Sequence, residues 1–324
     1  MLRKFPLFFL VVLLVGCTSR TDGEREEKDS LVVLLTGDVL LDRGVRHWAE
    51  KKGVEWLFEE VSPLFHRADA AVVNLECPLA DVPTPVAKQF VFRADTRWAS
   101  GLKNAGVSHA VLANNHSVDQ GFPGLSSTIM ALSEVDIAPM GYGLEMEERL
   151  KPTVIEKGNL RMALFSAVLF PIENWISCPQ GKPAPCQVDA STLACAIRSY
   201  RQEHPKDCIV CILHWGVEFQ ALPIPQQRRE AALLINAGSD ALVGHHPHVC
   251  EPLEFLQGRP VFYSLGNFVF DQHLPEARVG QIARLVLKSD TLEASRQEVD
   301  ILQCRPIPRG RSARRQPLSS RSAD

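Results

Sequence analysis

The chain has no excess of basic charge. It carries 35 Lys and Arg against 38 Asp and Glu, a net charge of -3, so it lacks the positive field that a nucleic-acid binder needs. It has no glycine-rich phosphate loop and no dinucleotide fingerprint, which argues against a nucleotide role. No Gly-x-Ser-x-Gly elbow is present, which weighs against a serine hydrolase. Its longest N-terminal apolar run, Phe5 to Val15, is short of the ~20 residues of a membrane span. Residues 31 to 300 contain no internal repeat and no low-complexity linker, so one domain is the simplest account.

What is present first is a targeting pattern. Arg3 and Lys4 precede the apolar run, which ends in Leu14-Val15-Gly16-Cys17. This resembles a bacterial lipobox, in which the cysteine is lipidated and becomes the new first residue. Residues 1–17 are therefore expected to be a lipoprotein signal with Cys17 the lipidation site. Residues 18–30, rich in Glu, Lys, Asp and Arg, are expected to be a polar tether. The expected location is outside the cytoplasm, anchored to a membrane. Residues 31–303 would form the domain. The Arg-rich end, 304–324, with Arg305, Arg309, Arg311, Arg314, Arg315 and Arg321, reads as a disordered basic tail.

Nine cysteines in an exported chain leave disulfides open. Cys178 and Cys186 flank a proline-rich stretch and are the best candidates for a local bridge. Cys208 and Cys211 have redox or zinc spacing, but on a strand their side chains would point to opposite faces; both read as buried, apolar-like residues. The remaining cysteines cannot be paired from sequence.

Apolar runs of strand length recur at 31–35, 70–73, 109–112, 137–140, 162–166, 208–213, 241–243 and 260–263. Runs apolar at every position suit strands buried on both faces. Helical spacing occupies 53–67, 96–105, 125–135, 191–201 and 225–237. Gly158-Asn159 marks a hairpin tip within 154–161. The alternation predicts a layered α/β domain.

Chemistry in such folds gathers at the carboxyl ends of strands. Asp38, then Asp42 and Arg43, follow the first run. Glu76 follows the second, and Asn114, Asn115 and His116 the third. His214 and Glu218 follow the 208–213 run, His245, His246 and His248 the 241–243 run, and Asn267 the last. Singly, each has an ordinary reading: Asp38 as a helix cap, Asn114 and Asn115 as turn residues, His214 as a satisfied, partly buried histidine. Unrelated loops would not be expected to supply Asp, Glu, Asn and several His together, so a shared metal site is the better reading. Carboxylate, amide and imidazole donors suit Mn, Fe or Zn, and the ligand number fits two ions better than one.

The segments 36–43 (TGDVLLDR), 74–79 (NLECPL), 114–121 (NNHSVDQG), 214–219 (HWGVEF), 244–249 (GHHPHV) and 263–270 (YSLGNFVF) resemble, in order, the bacterial capsule-synthesis CapA family. The resemblance spans roughly residues 31 to 290. It implies a calcineurin-like metallophosphoesterase fold, a sandwich of two sheets flanked by helices. It also implies a part in poly-γ-glutamate capsule synthesis or export, with an anionic cell-surface polymer and membrane synthase subunits as partners. By the same resemblance Asp38, Glu76, Asn115, His214, His246 and His248 would be metal ligands and His116 the general acid. His245 would support its neighbours, while Asp42, Arg43, Asn114, Glu218 and Asn267 would hold substrate or brace the ligands. Arg43 suits either a bidentate grip on an anion or a structural ion pair. The superfamily's usual ligand histidine two residues after the first aspartate is Leu40 here. That departure leaves two expectations standing: a metal-dependent hydrolase, or a scaffold without turnover. Recycling of phosphorylated nutrients rests on the fold analogy alone.

Overall fold

The computed structural model describes residues 29–169, 181–289 and 291–309. Cys17, the tether up to residue 28, Cys178 and residues 310–324 lie outside them, and so do the lipidation site and the proposed 178–186 bridge. Along the chain the strands are β1 (Leu31–Val39), β2 (Ala70–Leu75), β3 (His109–Val111), β4 (Ala138–Met140), β5 (Tyr142–Gly143) and β6 (Thr153–Lys157). They continue as β7 (Leu160–Leu169), β8 (Ala184–Pro185), β9 (Gln187–Val188), β10 (Cys208–His214), β11 (Ala241–His245) and β12 (Leu253–Leu256). The last are β13 (Arg259–Phe262), β14 (Asn267–Val269), β15 (Val279–Leu287), β16 (Leu292–Leu302) and β17 (Arg305–Pro308).

Two sheets form a sandwich. The first runs β17-β16-β15-β1-β2-β3-β4, with β14 also paired to β1; the second runs β12-β13-β11-β10-β7-β6, with β9 paired to β7. This is the layered two-sheet architecture that the sequence implies. Strands β1, β2, β3 and β4 are parallel to one another, as are β7, β10, β11 and β13. Two parallel sets therefore present their carboxyl ends to one cleft.

Alternation sorts the side chains. In β1, Leu31, Val33 and Leu35 face the second sheet and pack with Met162, Leu164, Ile212 and Val243. Leu34, one step out of phase, joins the opposite layer with Ala71, Val73, Leu57 and Leu132. A period of two sends successive residues to opposite faces. Helices Gly44–Lys52, Val54–Phe58, Ala99–Asn104 and Gly121–Glu134 cover the outer face of the first sheet. Helices Ala190–Glu203 and Pro225–Ala237 cover the second.

Three expectations change. The helical stretch 53–67 is two short helices, Val54–Phe58 and Ser62–Phe65, because Pro63 has no amide hydrogen to continue a helix and favours its first turn. The ordered chain does not stop at 303. Strand β17 pairs antiparallel with β16, and Arg305 sits over the Trp56 ring at 4.5 Å with a 2.9 Å ion pair to Glu60. Helix Gly44–Lys52 was not foreseen, since its sequence is mostly polar and only Val45 and Ala49 are buried.

Candidate metal centre

Asp38 is aimed by an irregularity. The β1–β2 register shifts between Leu35 and Asp38, and an extra residue in one strand redirects the side chain that follows. Gly37 makes this possible: a Cβ there would lie 2.1 Å from the Gly266 carbonyl oxygen. Strand β14 then lies beside β1 with Asn267 opposite Asp38. At the end of β11 the backbone is forced as well. His246 and His248 have φ of 98° and 58°, which non-glycine residues adopt only when their surroundings impose it. The two positive values flank Pro247 and set the course of the loop that carries both imidazoles.

Asp38, Glu76 and His214 bring ligand atoms within 4.8 Å of one another, and all three residues are buried. His248 bridges the carboxylates, with Nδ1 3.2 Å from Asp38 Oδ2 and Nε2 3.6 Å from Glu76 Oε1. His214 Nε2 lies 3.0 Å from Asn115 Oδ1 and 4.0 Å from Glu76 Oε1. The His246 ring is 4.9 Å from that of His214 and 6.2 Å from that of His248, between centroids. Asp38, Glu76 and His214 thus form the cluster, drawn from both sheets, with Asn115, His246 and His248 beside it.

The surrounding residues divide. His245 turns its Nε2 to the Thr36 carbonyl oxygen at 2.8 Å and ties β11 to β1. Asn267 Oδ1 lies 3.0 Å from His248 Nδ1, and its amide donates to Ala277 O. Asn114 donates to Asn74 Oδ1 and to Leu75 O and accepts the His116 backbone N–H. Glu218 is half-buried at the rim and acts on Glu76 and His248 through its charge. Asp42 is not part of the cluster: it accepts from the backbone N–H of Arg43 and of Arg93 and from Arg46. Arg43 pairs with Asp271 at 3.3 Å and lies 5.9 Å from the Phe92 ring, which favours the structural reading. Leu40 is fully buried in the apolar layer beneath the helices, so that position sends no ligand to the cleft.

Sequence reasoning missed three polar residues. Asn74 Nδ2 donates to Asp38 Oδ1 at 2.8 Å and to Glu76 Oε2 at 3.2 Å, fixing one oxygen of each carboxylate. Asp119 Oδ2 lies 2.7 Å from His116 Nδ1. Lys88 Nζ donates to Asp119 Oδ1 and to Asn115 O, both at 2.8 Å, and lies 3.1 Å from His116 Nδ1. The Lys88 side chain is 4% exposed. Asn74 and Asp119 stood within the recognised motifs and carried a signal. Lys88 belongs to the proline-containing loop after Asp81, where nothing in the sequence separates it from a solvated lysine.

Burial governs the charges. It pushes the Glu76 carboxyl well above its ordinary range, and the nearby Asp38 charge adds to the effect. Burial would raise Asp38 too, but the hydrogen bond and charge of His248 outweigh it and hold Asp38 below the usual carboxylate value. Burial opposes protonation of His248, yet Asp38 overcomes it and raises that imidazole. His214 falls well below its ordinary value by burial and by the neighbouring histidines, and His246 falls to about 3, chiefly by burial. Neutral imidazoles are what a metal requires.

The residues present fit a divalent cation. Glu76 Oε1, His214 Nδ1 and His246 Nδ1 are buried without a hydrogen-bond partner among the described residues, while Asp38 Oδ2 faces His248 Nδ1 at 3.2 Å. Orphaned buried polar atoms carry a desolvation cost, and Glu76 Oε1, within the cluster it forms with Asp38 and His214, calls for a partner there. The Asn74 amide holds one oxygen of each carboxylate, which leaves Glu76 Oε1 open and Asp38 Oδ2 against His248.

Comparison with known proteins agrees with the motifs. The model of the family described as bacterial capsule synthesis protein PGA_cap matches residues 32–272. The capsule biosynthesis protein CapA of Bacillus anthracis is 30% identical over 280 residues, covering 82% of this chain and 67% of that one. The PGA biosynthesis protein CapA of Bacillus subtilis is 29% identical over 283 residues, covering 86% and 74%. A solved phosphatase from Mycoplasma pneumoniae superposes with a TM-score of 0.48 at 12% identity, covering 84% of this chain and 95% of that one.

Proposed function

The chain belongs to the bacterial capsule synthesis protein PGA_cap family, and from that premise we propose that it is a metal-dependent hydrolase of capsule synthesis or export. Its substrate class would be an amide, ester or phosphoester bond of an anionic surface polymer such as poly-γ-glutamate. The observation that carries the reading is the buried cluster of Asp38, Glu76 and His214, whose ligand atoms lie within 4.8 Å of one another and in which Glu76 Oε1 has no hydrogen-bond partner among the described residues. Asp38, Glu76, Asn115, His214, His246 and His248 would hold the metal, as one or two ions of Mn, Fe or Zn. A divalent ion there supplies Lewis acidity and makes a bound water more acidic.

The chain's own groups do the rest. Asp119 beside His116 Nδ1 favours the tautomer with the proton on that nitrogen. Nε2 is then an unprotonated acceptor: it can take a proton, and it hands one to a leaving group only after taking it, with Asp119 supporting the imidazolium against the burial that lowers it. Lys88 neutralises Asp119 and fixes its orientation, so the imidazole is held at both its ring nitrogen and its loop. Phe92, with its ring centroid 4.3 Å from that of His116, covers one imidazole face and keeps water from it.

The membrane tether belongs to the same proposal. Among the described residues no helix is long and apolar enough to cross a membrane, and the reading rests on the lipobox-like Leu14-Val15-Gly16-Cys17. A second reading, a polymer-handling scaffold of the synthase complex, draws on Leu40, whose burial leaves one position without a ligand.

The test is metal analysis of the purified full chain, followed by hydrolysis assays on poly-γ-glutamate and on a chromogenic phosphodiester. The hydrolase reading expects about one to two bound transition-metal ions and turnover that Asp38→Ala abolishes. Bound metal without turnover on either substrate class, with capsule intact in cells carrying Asp38→Ala and His116→Ala, would favour the scaffold.

A further inference from the structure

Two of the proposed ligand loops leave adjacent strands. One follows His214 at the end of β10 and the other carries His246 and His248 after β11. A buried side chain outside the cleft joins them from behind. Gln227, in the first turn of helix Pro225–Ala237, is fully buried. Its Oε1 accepts the Ile224 backbone N–H at 2.9 Å, and its Nε2 donates to Glu251 Oε2 at 3.0 Å. The Gln227 amide packs flat on Gly216, two residues after His214. Gly216 has φ of 86°, and a Cβ there would stand 2.6 Å from Gln227 Nε2. Glu251 in turn comes three residues after His248. It is 2% exposed, its backbone N–H donates to Ser264 O, and its Oε1 has no partner among the described residues.

We propose that Gln227 and Glu251 form a latch that positions the two metal-ligand loops against each other. The inference rests on the metal reading of the cleft given above. One amide uses its oxygen to start the helix and its nitrogen to hold Glu251, with its plane against Gly216. No solvent-exposed residue could do this, because each contact needs the group to be buried and in one orientation. The loops have other ties: Trp215 N to His245 O at 3.2 Å and Phe219 N to Pro247 O at 2.8 Å. Those are backbone contacts that any side chain would permit, so side-chain identity enters through Gln227 and Glu251. Groups that brace metal-bearing loops typically alter affinity 10–100-fold when removed.

A buried carboxyl with a single donor is an unusual choice for a static brace. Burial pushes Glu251 up to about 7, against weaker pulls from Gln227 and Arg228. Arg228 reaches it from the helix, Glu254 flanks it on β12, and Tyr263 stands beyond β13. Glu251 lies three residues from His248, and its side chain meets Gln227 rather than any ligand.

The experiment is zinc titration by calorimetry on the full chain at one pH, for wild type, Gln227→Ala, Glu251→Ala, the double variant and Glu251→Gln. Circular dichroism on each checks that it is folded. The latch predicts a loss of about tenfold or more in zinc affinity for each alanine variant. It predicts no further loss in the double variant, and rescue to within about threefold by Glu251→Gln, whose carbonyl accepts the same hydrogen bond. Folded alanine variants that bind zinc like wild type would overturn the latch alone, as would additive losses or failure of the Gln rescue. Wild type that takes up no zinc would overturn the metal reading, and the latch with it. Should both alanine variants misfold, the comparison of Glu251→Gln with Glu251→Leu decides: equal affinities would overturn the latch.

Discussion

His116 is held by three groups of opposite character: Asp119 on its ring nitrogen, Lys88 beside both, and the Phe92 ring against its face. A residue that only filled space would not need a buried ion pair behind it, since a buried pair costs several kcal/mol in desolvation unless well bonded. Replacing His116 by Ala should lower turnover about 10²–10⁴-fold while leaving metal content unchanged. Loss of metal along with turnover, measured by elemental analysis, would make His116 a ligand instead. Asp119→Asn should give part of that loss. Glu251 yields a prediction in pH. Its carboxyl is raised from 4.5 to about 7, so the folded state prefers it protonated. Its stability contribution is full below the unfolded value of 4.5 and is lost as pH rises through about 7, a change on the order of 3 kcal/mol. Glu251→Gln removes the ionisation. In denaturant titrations its stability advantage over wild type should grow between pH 4.5 and 7 and then level off. A constant difference across that range would contradict the assignment.

At the scale of elements, the site is built where strands stop. Strands β1, β2 and β3 deliver Asp38, Glu76 and Asn115, and β10 and β11 deliver His214 and the paired imidazoles. These strands were legible because each is apolar throughout and breaks into polar residues, a pattern that burial on both faces demands. Helix Gly44–Lys52 and strands β14 to β17 were not. The helix buries only two side chains, and β16, one strand in from the sheet edge, mixes half-buried polar with buried apolar residues, where local pattern is weak. Arg305 was read as part of a solvated tail because charge suggests solvation; residues 310–324 of that expected tail lie outside the described residues. Arg305 is instead used for stacking on Trp56 and pairing with Glu60, so Arg305→Ala should lower stability by about 1–2 kcal/mol in denaturant titration. No change would return residue 305 to the tail. Gly244 tests the closeness of approach: a Cβ there would lie 1.9 Å from Tyr263 O and 2.4 Å from Trp215 Nε1. Gly244→Ala should therefore cost on the order of 3 kcal/mol and displace the His246–His248 loop. A variant with unchanged melting temperature would show that β11 and Tyr263 are not so closely packed.

For the whole molecule, two sheets meet at one set of strand ends, and neither sheet alone completes the cluster. The ligand types and their strand-end positions could be read from the chain. Their convergence could not, because it depends on the packing of β1 against β11 across the sandwich, which no local spacing encodes. Lys88 is the clearest case: only the fold reveals that it is buried. The proposed tether is the other matter at this scale. Cys17→Ser should release the protein from membranes into the soluble fraction, and a chain that sediments with membranes regardless would remove lipidation from the account. The central claim is that the cleft holds a divalent metal through residues of both sheets. The most direct measurement is elemental analysis of the purified full chain beside Asp38→Ala from the first sheet and His246→Ala from the second. The account predicts a transition metal in wild type and its loss in each folded variant. A wild type without metal after incubation with Mn and Zn, or variants that load like wild type, would contradict it.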